Sequence, residues 1–245
     1  MQNAIALALS RVVGVERLID ITANNIANSA TDGYKAERIA FSDWVSRQTG
    51  TAAPRGGETI IYTQDRALWR DPREGAFVKT DNPLDLAIHG PGYFTVNTPA
   101  GPRLTRAGHF QLDAQGTLVD AEGNPLLDTN GRPITLSPSD APIQVARDGT
   151  ISGANGPIGQ IGLVAPVDPT ALAAEGATHL RATGPTQPVS GASIVQGMIE
   201  QSNVQPIAEL TLMIDQSREY QFATQFIEEE DTRQLNAISK ILTPA

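Results

Sequence analysis

His89, His109 and His179 are the only histidines among 245 residues, and cysteine is absent. Imidazole is the side chain best suited to proton transfer near neutrality. Acid–base or metal chemistry would therefore have to use these three groups or carboxylates. Their settings argue against it. His89 stands beside Gly90 and Gly92 in a strand-to-turn stretch, and His109 opens a hairpin strand. All three read as surface or hydrogen-bonded structural residues. Asp81 and Asp85 could imitate a glycosidase pair, but Asn82 and Pro83 between them mark a turn. A calcium loop begun at Asp120 needs glycine at its sixth position and glutamate at its twelfth. Pro125 occupies the sixth and no glutamate the twelfth; begun at Asp113, the sixth position is Leu118. The glycines of 156–162 repeat at period three and form no phosphate cradle. No G-x-S-x-G, P-loop, H-E-x-x-H or dinucleotide fingerprint occurs. Without cysteine there are no disulfides, zinc ribbons, iron–sulfur clusters or thiol nucleophiles. Catalytic residues, cofactors and metal sites are all expected to be none.

The composition narrows the class further. Net charge is −9, which removes the basic footprint a nucleic-acid binder needs. No apolar run reaches the roughly 18 residues required to span a bilayer. The opening MQNAIALALSR has no basic stretch ahead of its apolar residues and no A-x-A site, so it is a poor cleaved secretion signal. Charged residues make up only 18%, below the roughly 25% of an average domain.

Glycine and proline divide the chain into three. Residues 3–30 lack proline and carry only Gly14, residues 50–197 hold most of both, and residues 198–243 contain only Pro206. Both residue types are costly inside helices, so the pattern predicts helix, turn-rich β structure, then helix. In the first segment Ile5, Leu9, Val12, Ile19, Ala23 and Ile26 recur at steps of four and three, with Glu16 in the one polar slot. That is a heptad seam. In the last segment Leu210, Met213, Tyr220, Ile227, Ile238 and Ile241 share a seam, and Ile214, Phe222, Phe226 and Leu235 add apolar surface. Ser202 or Asn203 is the expected cap, with Pro206 in the first turn. The acidic run 228–231 reads as a solvated face. Between the helices, hairpins are expected at 93–108, 110–120 and 143–152, the last through a type I′ turn at Asp148-Gly149. A helical stretch is expected only near 169–175.

The predicted architecture is α+β and multidomain: terminal helices forming a coiled-coil-like helical domain, and a central antiparallel β domain. Its parts are 1–35 with 198–245, an extended connector at 36–74, and the β-rich region 75–197. The two helices differ by about ten residues, or ~15 Å, so pairing within one chain leaves apolar stripe uncovered. An uncovered stripe is a liability in a monomer. It is a contact surface in a repeating assembly, and a heterologous contact that does not close builds a helical filament.

Four stretches then carry a resemblance. ANNIANSATDGYKAER (23–38), NPLDLAIHGPGYF (82–94), the run 103–127 and IEQSNVQPIAELTLMIDQSREYQ (199–221) occur in the order found in bacterial flagellar axial proteins, the rod and hook family. The motif residues are Asn24, Asn25, Asn28, Gly33 and Tyr34; Asn82, Pro83, Leu84, Gly90 and Gly92; and Ser202, Asn203 and Val204. The length, the short 40–75 segment and the ending EEEDTRQLNAISKIL most resemble the proximal-rod branch. Gln205-Pro206-Ile207-Ala208 and Gln221 depart from the usual family pattern.

The resemblance implies a structural, non-enzymatic role. It implies export without a cleaved signal by the flagellar type III apparatus. It implies assembly with copies of itself and with other proximal- and distal-rod proteins into the periplasmic shaft of the basal body. Each asparagine of the first motif can serve as a cap or turn residue, or as an intersubunit contact. The alternatives are a distal-rod or hook-type paralogue, a secreted glycan-binding β module, and a peptidoglycan hydrolase using Asp85.

Overall fold

The computed structural model describes residues 2–47, 59–168, 170–189 and 191–242. The sequence Ile238–Ile241 falls within a described helix, but the side chains of Ile5, Ile238 and Ile241 lie outside the described residues. Helix α1 spans Gln2–Ala27 and α2 spans Pro206–Leu242. Between them run β1 (Glu37–Arg47), β2 (Thr59–Arg70), β3 (Phe77–Lys79), β4 (Leu86–His89), β5 (Tyr93–Thr98) and β6 (Gly101–Thr105). The short strands β7 (Gln111–Leu112), β8 (Leu118–Val119), β9 (Gln144–Val145), β10 (Thr150–Gly153) and β11 (Gly156–Gln160) follow. The remainder are β12 (Leu163–Pro166), β13 (Leu172–Glu175), β14 (His179–Ala182), β15 (Thr186–Pro188), β16 (Ser193–Gln196) and β17 (Met198–Glu200).

The chain divides into two compact units. One holds 1–26, 37–69 and 205–245: the two helices and the paired strands β1 and β2. The other holds 27–36 and 70–204. Its main sheet has the order β13-β14-β6-β5-β12-β15, with antiparallel pairing at each step. Two helices and a mostly antiparallel β region are thus present, as the glycine and proline distribution predicts. α2 starts with Pro206 in its first turn, where a missing N–H costs nothing, and its 37 residues reach about 55 Å.

The β core is one apolar cluster. Leu86, Ile88, Phe94, Val96, Phe110, Leu118, Leu126, Ile134 and Ile151 are all buried in it, with Leu84 packed against it. Phe94 and Phe110 meet edge to face at 5.3 Å. The hairpins at 93–108, 110–120 and 143–152 form. Two details differ from the sequence reading. At Asp148-Gly149 only Gly149 has positive φ, +86°, and the turn runs from Ala146 to Gly149 with Ala146 also bonded to Thr150. That is a three-residue loop with a glycine bulge rather than type I′. The stretch near 169–175 is no helix: Leu172–Glu175 is the edge strand β13, paired with β14 through a turn at Gly176. Four residues ending at a positive-φ glycine are too few to nucleate a helix.

One regularity stands out within this unit. Asp113, Asp120 and Asp128 each open a turn in which the aspartate carbonyl accepts from the glycine three residues on. Each Oδ1 also accepts the N–H groups two and four residues on. Three equivalent D-x-x-G turns therefore stack the hairpins of 110–136. The Oδ1 atoms of these aspartates serve as local backbone acceptors that fix the turns. Among the described residues no group of three or more His, Asp or Glu side chains is placed to hold a metal.

Candidate functional site

The residues with chemical potential are all engaged in pairs. His109 Nδ1 lies 2.8 Å from Asp85 Oδ1, which also accepts from Asn82 Nδ2 at 2.9 Å. Asp81 is exposed and pairs with Lys79, so Asp81 and Asp85 form no dyad. His89 lies 3.2 Å from Glu74. Buried His179 sits 2.8 Å from Asp120 Oδ2 and 3.2 Å from Glu122 Oε2. Its hydrogen bond to Asp120 raises its pKa against the opposing effect of burial. Burial pushes the Asp120 carboxyl up, and the bonds from His179 and Asn124 outweigh it, leaving it below its usual value. These are structural clamps.

The motif residues instead build two polar anchors. In the helical unit, the Asn25 amide takes both backbone groups of Glu37: Oδ1 accepts its N–H at 2.8 Å and Nδ2 donates to its carbonyl at 3.0 Å. Nδ2 also reaches Glu209 Oε2 at 3.4 Å. Buried Glu209 receives both Nη groups of Arg38 at 2.6 and 3.1 Å. Asn25 thus does for β1 what a neighbouring strand would do, and α1, β1 and α2 converge on it.

In the β unit, Asn203 performs the matching task one residue earlier. Its Oδ1 accepts Ala36 N–H at 2.8 Å, and its Nδ2 donates to the carbonyls of Asp71 and Arg73 at 3.1 and 2.9 Å. Tyr34, Ala36 and Val204 make a small buried cluster, and the Arg70 guanidinium lies 4.7 Å over the Tyr34 ring. Gly33 has φ +70°, and a Cβ there would stand 2.3 Å from Ala107 N. Only glycine fits. Ser202 Oγ accepts Val204 N–H, and Asn28 receives the N–H and hydroxyl of Thr31 in the turn after α1. Asn24 is exposed. Gly90 and Gly92 have positive φ beside β4 and β5. The Asn82-Pro83-Leu84 turn is fixed by Leu84 N–H on Asn82 Oδ1 and by Gln196 on the Pro83 carbonyl.

The helix seams lie differently from the apolar count. The buried line of α1 runs through Val15, Thr22 and Asn25, with Leu18 half-buried. The stripe of Leu9, Val12, Ile19, Ala23 and Ile26 lies roughly 100° round the helix from that line. Its members are half-buried, and Leu9 is 55% exposed. On α2 the covered line is Glu209, Met213, Gln216, Tyr220, Ala223, Ile227 and Glu230, while Leu210, Ile214 and Leu235 are exposed. The facing contacts are polar and run antiparallel. Thr22 Oγ1 lies 3.0 Å from Gln216 Oε1, Asn25 meets Glu209, and Arg11 pairs with Glu219. Hydrogen bonding keeps Thr22, Asn25, Glu209 and Gln216 inside, and a count of apolar spacing cannot register it. Glu230, placed in a solvated run by its neighbours, is buried and bonded to Arg233. Lys35, Arg38, Arg106, Glu200 and Glu209 were likewise missed. Their placement rests on long-range pairings that no local pattern registers.

A helix pair joined by polar contacts, with large apolar side chains turned outward, has the surface of a building block. Comparison with known proteins agrees: the chain belongs to the bacterial flagellar rod and hook family. Residues 17–35 match the family described as flagella basal body rod protein. Residues 87–153 match the flagellar hook protein FlgE/F/G D1 domain, and 195–239 match the flagellar basal body rod FlgEFG protein C-terminal region. The chain is 36% identical over 243 residues to the flagellar basal-body rod protein FlgF of Caulobacter vibrioides, covering 98% of each. It is 34% identical to FlgF of Mesorhizobium japonicum, covering 90% of each. It is 32% identical to the rod protein FlgG of Bacillus subtilis, covering 94% of this chain and 96% of that protein. The protein is a structural component of the flagellar basal-body rod. Among the described residues no helix is long and apolar enough to cross a membrane.

Proposed function

We propose that this protein is a proximal-rod subunit of the periplasmic drive shaft, assembling helically through its terminal helices and carrying torque. The observation that carries the reading is the outward apolar surface of the helical unit. Ile207 and Phe222 are 83% and 77% exposed, and Leu9, Val13, Leu210, Ile214, Phe226 and Leu235 are exposed with them. Ile207, Leu210 and Ile214 lie opposite the covered line of α2, and Phe222 and Phe226 flank it. Surfaces on two sides require at least two neighbours, and a repeated contact of that kind generates a helical array. Copies of this chain and other rod proteins are the partners that would cover it in coiled-coil-like packing. The Leu9, Val12, Ile19, Ala23 and Ile26 stripe, with Leu210, Ile214 and Leu235, would form the contact faces, while Met213, Tyr220 and Ile227 lie on the line of α2 covered within the subunit. Passage through the type III export apparatus belongs to the same reading.

The test is a paired substitution, Phe222→Asp with Phe226→Asp, supplied to cells lacking the native copy. The expected result is a protein with unchanged urea stability that leaves cells without complete rods and unable to swim. Normal rods and swimming would remove the basis of the proposal.

A further inference from the structure

Glu200 is 0% exposed, yet it is an acid at the last position of β17. Its carboxylate is saturated: Oε1 accepts from Lys35 Nζ at 2.5 Å and from Gly75 N–H at 2.9 Å, and Oε2 accepts from Arg106 Nη1 at 2.8 Å. Its own carbonyl accepts Gly33 N–H at 2.7 Å. Arg106 is itself buried and donates to the carbonyls of Ile88 and Gly90, while Lys35 Nζ also donates to Arg73 O at 2.7 Å. One carboxylate therefore joins the chain leaving α1, the chain leaving β2, the end of β6 and the chain entering α2. All lie in the β unit.

The energetics make these arrivals interdependent. An unpaired buried charge is strongly unfavourable, above all when one partner of a buried pair is removed. Glu200 cannot be buried without its cations, and Lys35 loses its anionic hydrogen-bond partner if Glu200 stays out. Arg106 comes from the β body, where two carbonyls hold it. The remaining two charges come one from each terminal segment.

We propose that Lys35, Glu200 and Arg106 form a coincidence latch: residues 31–37 and 198–204 seat on the β unit together or not at all. Neighbouring bonds belong to the same unit of order. Asn203 N–H reaches Tyr34 O, Ala36 N–H reaches Asn203 Oδ1, and Gln201 N–H reaches Ala76 O.

Native-state hydrogen exchange on the full-length wild-type protein tests this without mutation. As urea rises, the amides of Gly33, Ala36 and Gln201 should open with one common free energy and one urea slope, below that of core amides such as Leu118 and Ile134. Separate opening energies for the N-terminal and C-terminal amides would overturn the latch. A second measurement uses Lys35→Met, which touches only the N-terminal segment. Exchange at Gln201 should rise by about the same factor as at Gly33, at least tenfold, with core amides unchanged. A change confined to 31–37 would overturn the proposal. The double variant Lys35→Met with Glu200→Gln restores the wild-type net charge of the cluster. It should exchange more slowly at these amides than Glu200→Gln alone; additive effects would count against the latch.

Discussion

Asn25 holds Glu37 by both of its backbone groups, at 2.8 and 3.0 Å, so a helical side chain completes the hydrogen bonding of the first strand residue. The family's asparagine-rich motif thereby has a physical meaning. Asn203 grips the preceding residue, Ala36, in the same manner from the C-terminal motif. Two asparagines far apart in sequence thus fix adjacent residues at the point where the chain leaves the first turn.

Replacing Asn25 by alanine leaves two buried backbone groups and Glu209 short of a partner. Unsatisfied buried groups cost about 1–3 kcal/mol. Asn25→Ala should lower stability by about 2–3 kcal/mol in urea unfolding. Asn25→Asp should cost more, since it removes the donor to Glu37 O and sets a carboxylate beside Glu209.

Much of the fold was legible in the sequence because it follows from backbone rules. Proline-free segments became helices, and Pro206 marked the start of α2. The helix seams and the anchors were less legible. Thr22, Asn25, Gln216, Glu209 and Glu230 occupy inward positions because specific acceptors and donors wait for them, and hydrophobic spacing is blind to such matches. Glu200 and Lys35 are buried only because each has the other, a long-range pairing that no local window contains. Leu172–Glu175 was misjudged because its strand partner His179–Ala182 lies beyond a tight glycine turn.

The His179 clamp gives a pH dependence with a definite sign. Its folded pKa lies above the ordinary 6.5, so its stabilisation is complete below that value and is lost as pH rises through the raised folded pKa. Asp120 has a depressed folded pKa; its contribution is present above 3.8 and is lost as pH falls through the lower folded value. The pair should therefore stabilise most between the two ordinary values, 3.8 and 6.5. Thermal melts of wild type and His179→Gln across pH 5–9 should show the largest gap near pH 6, narrowing toward pH 9. A gap independent of pH would disprove the clamp.

Gly33→Ala places a Cβ against the backbone of Arg106 and Ala107 at 2.3 Å in a left-handed conformation. Strain of about 1–2 kcal/mol from φ alone adds to a clash with main chain that cannot rotate away. The variant should be markedly destabilised in urea unfolding, whereas Gly123→Ala, with open space around it, should lose only the smaller conformational cost.

The exposed faces of α2 can be separated by mutation. Leu210→Glu and Phe222→Glu lie on different sides of the helix and should each impair motility without changing the unfolding free energy of the isolated protein by more than about 0.5 kcal/mol. Loss of monomer stability with either would mean that the side chain serves the subunit rather than its neighbours.

The most direct measurement is a map of the assembled basal body at side-chain resolution. Leu9, Leu210, Ile214, Phe222 and Phe226 should be covered by helices of adjacent subunits, with Thr22–Gln216 and Asn25–Glu209 still joined within each subunit. A map in which those apolar side chains face open solvent would contradict assembly through the terminal helices.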